Sequence, residues 1–381
     1  MSAQAGIFAN EDVSCDVIIK IYSLIMDANN TSPTAVKGKS GKFARLGKLL
    51  RYLIPVCVSI GLIWWLFRKV DIHEVIHIIR HGCDFRWILC MMLLTIMSHI
   101  IRGIRWGIQL RGVGVPRIPV VAESVSIFGA YALNLVFPYL GEAWRCLYIS
   151  KREKAPLATV VGTDLGDRAS DAIVVVILLC LTLVTAHPVM EHFIDRYGVD
   201  GDIRHWLDHP YVWLGVCLAI GIIWIIIALT NTYDKYIDAV RESLLKIWSG
   251  FKVMFHMKGL GAYVLLTIGI WTCYYLETYS CFYAFPFTRQ LIDDPSTAYG
   301  LIPGLVVFVF GSFSIAVPSN GGLGPWNLAV MFALSLYGIP ETEGTAYSIA
   351  VWGSQAATYV ALGIFSAAYI IWSKRQAAKQ K

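Results

Sequence analysis

Charged side chains inside otherwise apolar segments are the first residues of this sequence whose types and spacing could do chemistry. One group is Asp164, Asp167, Arg168 and Asp171, within the apolar run 157–186. On a helix these positions fall within an arc of roughly 100°, so the four charges share one face. A charge at the centre of a bilayer costs about 2.5–3.5 kcal/mol. We therefore expect this face to point into the protein or into a water-filled cavity.

The charges on this face can partly neutralise one another. Arg168 is predicted to pair with Asp164 and with Asp171 of its own helix. One carboxylate then needs a partner from another segment or from a cationic group of a substrate. As an alternative, Asp164 lies at the membrane interface, because about 20 residues span the hydrocarbon core. The arginines that could complete the set are Arg102, Arg105 and Arg145.

A second group surrounds a predicted break in an apolar segment. Pro138 has no backbone N–H and breaks a helix, and Gly141 permits a tight turn. Asn134 precedes the break, and Glu142 and Arg145 follow it at helical i, i+3 spacing. A broken helix with charges at its tip suits an ion or a lipid headgroup. The alternative is that the two charged residues only begin a helix at the membrane interface.

The third group is an uncharged run rich in proline and glycine, at 318–326, between two apolar segments. It is predicted to be an unwound loop between half-helices. Its backbone N–H groups and the N-terminus of the next helix could hold a phosphate. The alternative is a tight connecting turn. The candidate binding residues of this run are Asn320, Gly321, Gly322 and Gly324.

A fourth polar group lies towards the predicted inner end of the apolar segment 85–110. Arginine side chains at such a position usually extend to the headgroups. We therefore expect interfacial contacts there in preference to catalysis. The group comprises His99, Arg102, Arg105 and Gln109.

The composition places all four groups in a membrane protein. The chain has 381 residues, of which 56% are hydrophobic and 15% charged, against about 25% charged in a soluble domain. Its apolar runs are continuous and do not alternate, which predicts helices and not a β-barrel. The predicted segments are 49–67, 85–110, 122–140, 157–186, 211–229, 260–285, 299–317, 325–337 and 345–372.

The distribution of lysine and arginine predicts an orientation. Basic residues before the first segment and after the last one place both termini in the cytoplasm. Segment 122–140 is basic on both flanks, which predicts a re-entrant hairpin. The predicted fold is thus an all-α bundle of about eight spanning helices plus one re-entrant segment. One loop, 68–86, does not fit, because it is basic although it is predicted to be external.

The same assignment divides the chain into a cytosolic tail, 1–48, a transmembrane domain, 49–372, and a second cytosolic tail, 373–381. The expected location is the bacterial cytoplasmic membrane. An internal repeat is also suggested, because aligning Pro138 with Pro318 places Gly141 opposite Gly321. Paired interrupted segments indicate a transporter site at a repeat interface. A chance match is the alternative.

The stretches 134–145, 164–171 and 318–326 together resemble the transmembrane region of the lysylphosphatidylglycerol synthase/flippase family, over residues 49–372. The resemblance implies a helical bundle with re-entrant segments that moves aminoacylated or other phospholipids between leaflets. Bifunctional members carry a soluble aminoacyl-transferase domain after the last span, whereas here only 373–381 follow. Aminoacyl transfer is therefore not implied, and neither is a lysyl-lipid substrate.

Three functions stay open at this point. The first is a lipid flippase, the second a membrane-embedded transferase that uses a polyprenyl-phosphate or other lipid-linked donor, and the third a secondary transporter of a small solute. For the transferase, Asp164, Asp167 or Asp171 would bind Mg²⁺ or act as a base. No nucleotide-binding or hydrolase motif is present, so we expect no enzyme activity, no cofactor and no metal. Expected partners are a membrane phospholipid, a separate lipid-modifying synthase and a second copy of the chain, but no nucleic acid.

Overall fold

The structure, a computed structural model, describes residues 57, 59–64, 66, 68, 70–137, 140–186, 259–314, 317 and 319–379. Within these ranges the chain forms α-helices, one short 3-10 helix and turns, and no β-strand. The all-α prediction is confirmed for this part of the chain. The predictions that lie outside the described residues concern most of segment 49–67, segment 211–229, the tail 1–48, Pro138 and Pro318.

The described helices are numbered here in chain order. They are α1 (Ile72–Gly82), α2 (Phe85–Gly112), α3 (Val120–Val136), α4 (Leu140–Glu153), α5 (Leu157–Thr185), α6 (Leu260–Phe282), α7 (Pro286–Asp293), α8 (Leu301–Ser314), α9 (Pro325–Ser335) and α10 (Glu341–Lys379).

Four of these helices, α2, α5, α6 and α10, are long and apolar enough to cross a membrane. Helix α2 has 28 residues, which correspond to about 42 Å, more than the ~30 Å of hydrocarbon. Helices α3, α8 and α9 are apolar but shorter. The protein is therefore a multi-pass helical membrane protein.

Local sequence explains where the central helices begin and end. The side chain of Asp84 accepts a hydrogen bond from the backbone N–H of Arg86, at 3.1 Å, and so caps the N-terminus of α2. Helices α3 and α5 follow Pro119 and Pro156 directly, and proline is well tolerated at a helix start. Gly114, with a φ of +88°, lets the chain leave α2.

Helix α1 was not predicted, and it occupies the middle of the basic loop 68–86. It is amphipathic, with Val75 buried against α10 and with Ile72 and Ile76 exposed. Exposed apolar residues beside a polar face are typical of a helix that lies along the membrane surface. Arg80 is the only Lys or Arg of α1, and Arg68, Lys69 and Arg86 lie outside it, so the basic loop still does not fit the predicted orientation.

Two apolar cores hold the bundle together. One joins α2, α6, α8, α9 and α10 and includes Met91, Phe282 and Leu334. The other joins α2 to α3, α4 and α5 and includes Trp106 and Ile149. Helix α2 takes part in both cores, and the polar residues of its middle turns lie between them.

Two helix pairs are interrupted in the described part of the chain. The predicted segment 122–140 consists of α3 and the first residue of α4, and α8 and α9 flank the glycine-rich loop 319–324. The suggested repeat holds only as a helix, break and helix pattern. Gly141 lies in the first turn of α4, whereas Gly321 lies in a loop four residues before α9 begins. The re-entrant course of α3 and α4 stays a prediction.

Candidate functional site

The acidic face of α5 is bound by two arginines of α2. Arg102 Nη1 lies 2.7 Å from Asp171 Oδ2. Arg105 Nη2 lies 2.8 Å from Asp167 Oδ1 and 2.9 Å from Asp171 Oδ1. Arg102 is 3% exposed and Arg105 is 0% exposed. The prediction that these arginines extend to the headgroups is therefore wrong.

The physical reason is the depth of these side chains in the protein. Arg102 lies ten residues before the end of α2, which is about 15 Å along the helix axis. An arginine at that depth needs a carboxylate partner, because hydrocarbon provides none. The acidic face of α5 supplies it, and the prediction that this face points into the protein is confirmed.

The remaining two arginines join α4 to α5. Arg145 binds Asp164 in a buried ion pair. Arg168 Nη2 lies 2.5 Å from Glu142 Oε1. The predicted pairing of Arg168 with the aspartates of its own helix is thus wrong. Those aspartates are bound by arginines of α2 and α4, so Arg168 pairs with the acid at the start of α4.

Asn134 organises the tip where α3 ends and α4 begins. Its Oδ1 accepts a hydrogen bond from the backbone N–H of Gly141, at 2.8 Å, and its Nδ2 donates to Glu142 Oε1, at 3.1 Å. A Cβ on Gly141 would lie 2.0 Å from the carbonyl oxygen of Ala130. Only glycine therefore permits this close approach of α4 to α3, and Asn134 fixes the orientation of the Glu142 carboxylate.

The glycine-rich loop packs on the same tip. The Gly321 N–H donates to the carbonyl of Asn134, at 3.2 Å, and Asn320 Nδ2 donates to the carbonyl of Val136, at 2.7 Å. Gly321 has a φ of +58°, and a Cβ there would lie 2.7 Å from Leu135 Cδ2. The three groups of residues found in the sequence therefore meet at one place in the fold.

The backbone N–H groups of the loop are largely engaged in contacts within the protein. The Asn320 N–H donates to Ser59 Oγ, at 3.3 Å, and the Gly324 N–H donates to Asn327 Oδ1, at 3.1 Å. The loop consequently presents fewer donors to a phosphate than the sequence suggested. Gly322 and Gly324 adopt φ values of +80° and +93°, so they shape the turn before α9. A direct contact of these glycines with a ligand stays a prediction.

The charged side chains form one network that is graded in exposure. At its deep end the side chains of Arg105 and Asp167 are 0% exposed, and that of Arg145 is 1% exposed. At its outer end the side chain of Glu142 is 23% exposed and that of Arg168 is 41% exposed. The four positive and four negative formal charges cancel. The network members are Arg102, Arg105, Glu142, Arg145, Asp164, Asp167, Arg168 and Asp171.

Aromatic residues surround the deep end of this network. The guanidinium of Arg145 lies 4.5 Å from the ring centroid of Trp106, in a cation–π contact. Tyr274 of α6 accepts a hydrogen bond from Arg102 Nε, at 3.1 Å. Tyr263 of α6 lies under Arg105, at 5.3 Å. These aromatic contacts were not predicted from the sequence, although the polar residues of α6 recur at helical spacing on one face.

The carboxylates of the network are engaged by arginines and not arranged around a vacant position. Asp164, Asp167 and Asp171 each lie against at least one guanidinium. Among the described residues, no three His, Cys, Asp or Glu side chains are grouped so as to hold a metal ion. The donor set therefore does not favour Mg²⁺ chemistry at this face.

Comparison with known proteins places the chain in a membrane family. Residues 52–363 match the family described as the lysylphosphatidylglycerol synthase transmembrane region. A UPF0104 membrane protein of Pyrococcus horikoshii is 28% identical over 143 residues, which are 36% of this chain and 41% of the relative. The match thus spans less than half of that relative's length. No solved structure matches the chain significantly.

Proposed function

We propose, since the chain belongs to the lysylphosphatidylglycerol synthase transmembrane-region family, that it is a flippase that moves a phospholipid between leaflets. The membership indicates a function related to membrane lipids, and the network suggests how a headgroup is handled. The lipid headgroup would bind at the outer end of the network, where Glu142 and Arg168 meet. A separate synthase would supply the lipid if the substrate is aminoacylated.

The observation that supports the proposal most strongly is a partly exposed ion pair at the place where two helix breaks meet. Glu142 and Arg168 pair at 2.5 Å beside the loop 319–324. A ligand that binds here separates Glu142 from Arg168. Both residues then keep a partner of opposite charge only if the ligand carries a positive and a negative group. The phosphate of a headgroup would bind Arg168, and its ammonium group would bind Glu142. A zwitterionic or aminoacylated phospholipid meets this requirement.

An anionic headgroup without an amine would fit this site less well. It would satisfy Arg168 but leave Glu142 without a cation, and an unpaired charge in a buried pair costs about 3–5 kcal/mol when desolvated. Because the pair is partly exposed, water lowers this cost but does not remove it. The acyl chains would stay in the bilayer, against the exposed side chains of Val136 and Phe137 at the same helix break.

The residues at the deep end of the network would keep their positions while the lipid headgroup moves past them. Arg105, Asp167 and Arg145 are fully buried, and their pairs join α2, α4 and α5. Breaking such pairs is unfavourable, so these residues would keep their partners while a headgroup passes. The transferase alternative is less well supported, because its candidate carboxylates are bound by arginines. A secondary transporter could use the same Glu142–Arg168 pair, so only an experiment distinguishes it from a flippase.

The test is lipid movement by purified protein in liposomes. Fluorescent phospholipids with zwitterionic, aminoacylated and anionic headgroups are followed by dithionite quenching of the outer leaflet. We expect loss of fluorescence beyond the outer-leaflet fraction, strongest for headgroups with both charges, and none with Arg168→Gln. The matched control is Arg152→Gln, which breaks a surface pair with Glu153, at 2.9 Å, and should keep wild-type rates. No movement of any lipid by folded protein would contradict the proposal, and gradient-driven solute uptake would then favour the third function.

A further inference from the structure

A buried carboxyl group of α6 lies outside the charge network. Glu277 is 7% exposed, and no ion pair of the described residues includes it. An ionised carboxylate without a cation is strongly unfavourable in such a place, and a group of this kind takes up a proton instead. Glu277 is therefore expected to be neutral in the described structure.

Two hydroxyl groups of α2 face Glu277, and their contacts are compatible with a protonated carboxyl. Ser98 Oγ lies 3.1 Å from Glu277 Oε1 and 2.8 Å from the carbonyl oxygen of Thr95. Thr95 Oγ1 also faces Glu277 and lies 3.0 Å from the carbonyl oxygen of Met91. A hydroxyl has a single proton to donate. When Ser98 donates to the Thr95 carbonyl, its contact with Glu277 is a hydrogen bond only if the carboxyl carries a proton and donates it.

A second proton-accepting group lies beside the first. His99 Nδ1 is 2.8 Å from the carbonyl oxygen of Thr95 and 3.2 Å from Ser98 Oγ. A carbonyl only accepts hydrogen bonds, so Nδ1 carries the hydrogen of this contact. Nε2 is then an acceptor in the neutral ring, and it is buried without a hydrogen-bond partner among the described residues. Ser98 thus contacts Glu277 and the protonated Nδ1 of His99, and Nε2 is not part of this contact.

The other titratable groups around Glu277 are neutral ones. On α6 they are thiols and a phenol, on α10 a phenol, and next to the His99 ring a phenol of α3. None of them supplies a positive charge to an ionised Glu277. They are Cys273, Tyr274, Cys281, Tyr359 and Tyr131.

The cation that neighbouring residues connect to Glu277 is Arg102 of the charge network. Tyr274 lies one turn before Glu277 on α6 and accepts the hydrogen bond of Arg102 Nε, at 3.1 Å. Arg102 also lies one turn after Ser98 on α2, about 6 Å along the axis. Arg102 is held by Asp171, at 2.7 Å. An ionised Glu277 would therefore compete with Asp171 for the same guanidinium.

We propose that Glu277 is a proton-binding site and that release of its proton draws Arg102 away from Asp171, which couples lipid movement to a proton gradient. In this step the O–H bond of Glu277 breaks, both electrons stay on the carboxylate, and the proton passes to water. The coupling rests on the proposed flippase function, whereas proton binding at Glu277 does not.

The proton site is tested on wild-type protein without any lipid assay. Dicyclohexylcarbodiimide adds to protonated carboxyl groups in apolar surroundings, and peptide mass spectrometry locates the adduct. We expect an adduct on Glu277 that decreases as the pH of labelling is raised. Glu123 is the matched comparison, because it is also buried but lies 3.6 Å from Arg111, and we expect less adduct there. No adduct on Glu277 at any pH, in folded protein, would overturn the proton site.

The coupling is tested with proteoliposomes that carry a pH gradient of either sign. We expect lipid movement by the wild type to change several-fold with the sign of the gradient. Glu277→Gln, which mimics the protonated carboxyl, should move lipid equally under both signs, and Glu123→Gln should keep the wild-type response. Lipid movement that ignores the gradient would overturn the coupling and leave the flippase proposal intact. An adduct on Glu277 with no lipid movement at all would overturn the flippase proposal and the coupling, and leave the proton site.

Discussion

The two ends of the charge network are built from the same residue types but differ in their access to solvent. Around Asp167 the side chains of three arginines converge on one carboxylate, which is 0% exposed. At the tip of α4, Glu142 and Arg168 form a single pair that is partly exposed. Removing a charge at the deep end leaves partners that water cannot reach. At the outer end, water or a headgroup can replace the missing partner. Only there can a charged residue exchange its partner for a ligand at a small cost in free energy.

The largest effect that this comparison predicts is on stability at the deep end. Asp167→Ala should lower the free energy of unfolding by about 3–5 kcal/mol, because buried guanidinium groups lose their carboxylate. The change is measured as a shift of the thermal transition of the purified protein in detergent. Glu153→Ala, in the surface pair with Arg152, should cost at most about 1 kcal/mol. Equal transitions for the two variants would remove the distinction between deep and surface pairs.

A smaller loss of stability is expected where the glycine-rich loop contacts α3. Gly321→Ala introduces a side chain at a φ of +58° and within 2.7 Å of Leu135 Cδ2. Gly338→Ala is the matched control, because its φ is +80° but no atom lies within 4 Å of the added Cβ. The control should lose roughly 1 kcal/mol from backbone strain, and Gly321→Ala should lose more. If both variants unfold at the same temperature, the contact of the loop with α3 contributes nothing.

The smallest loss of stability is expected at the outer pair. The double variant Glu142→Gln with Arg168→Gln should unfold within about 1 kcal/mol of the wild type, since a partly exposed ion pair contributes little. Lipid movement by the same variant should nevertheless be abolished. A loss of stability as large as that of Asp167→Ala would assign the outer pair to folding and not to function.

Much of the fold follows from the sequence because continuous apolar runs in a membrane permit only helices. The ends of α2 and α5 lie within two residues of the predicted ends. Helix α1 was missed, because an amphipathic surface helix of 11 residues has no apolar run to mark it. The break between α3 and α4 was predicted from the residue types, although Gly141 lies in the first turn of α4 and not in a tight turn between the helices.

The partners within the site could not be predicted in the same way. Sequence spacing gives the neighbours on one helix, so Arg168 was assigned to aspartates of α5. The actual partner, Glu142, comes from α4, and helix packing decides such contacts. Glu277 was missed for a similar reason. A single carboxylate in an apolar run indicates no site by itself, and the hydroxyl groups of α2 that face it are visible only in the fold.

Headgroup binding at the outer ion pair is tested most directly through the lipid preference that Glu142 sets. Initial rates of movement of a zwitterionic and an anionic fluorescent phospholipid are compared in proteoliposomes of the wild type and of Glu142→Gln. Asn134 Nδ2 can donate to the glutamine oxygen as it does to Glu142, so the tip should keep its shape. We expect the wild type to prefer the zwitterionic lipid and the variant to lose this preference or reverse it. An unchanged ratio of the two rates in a folded, active variant would contradict the assignment of the headgroup to this ion pair.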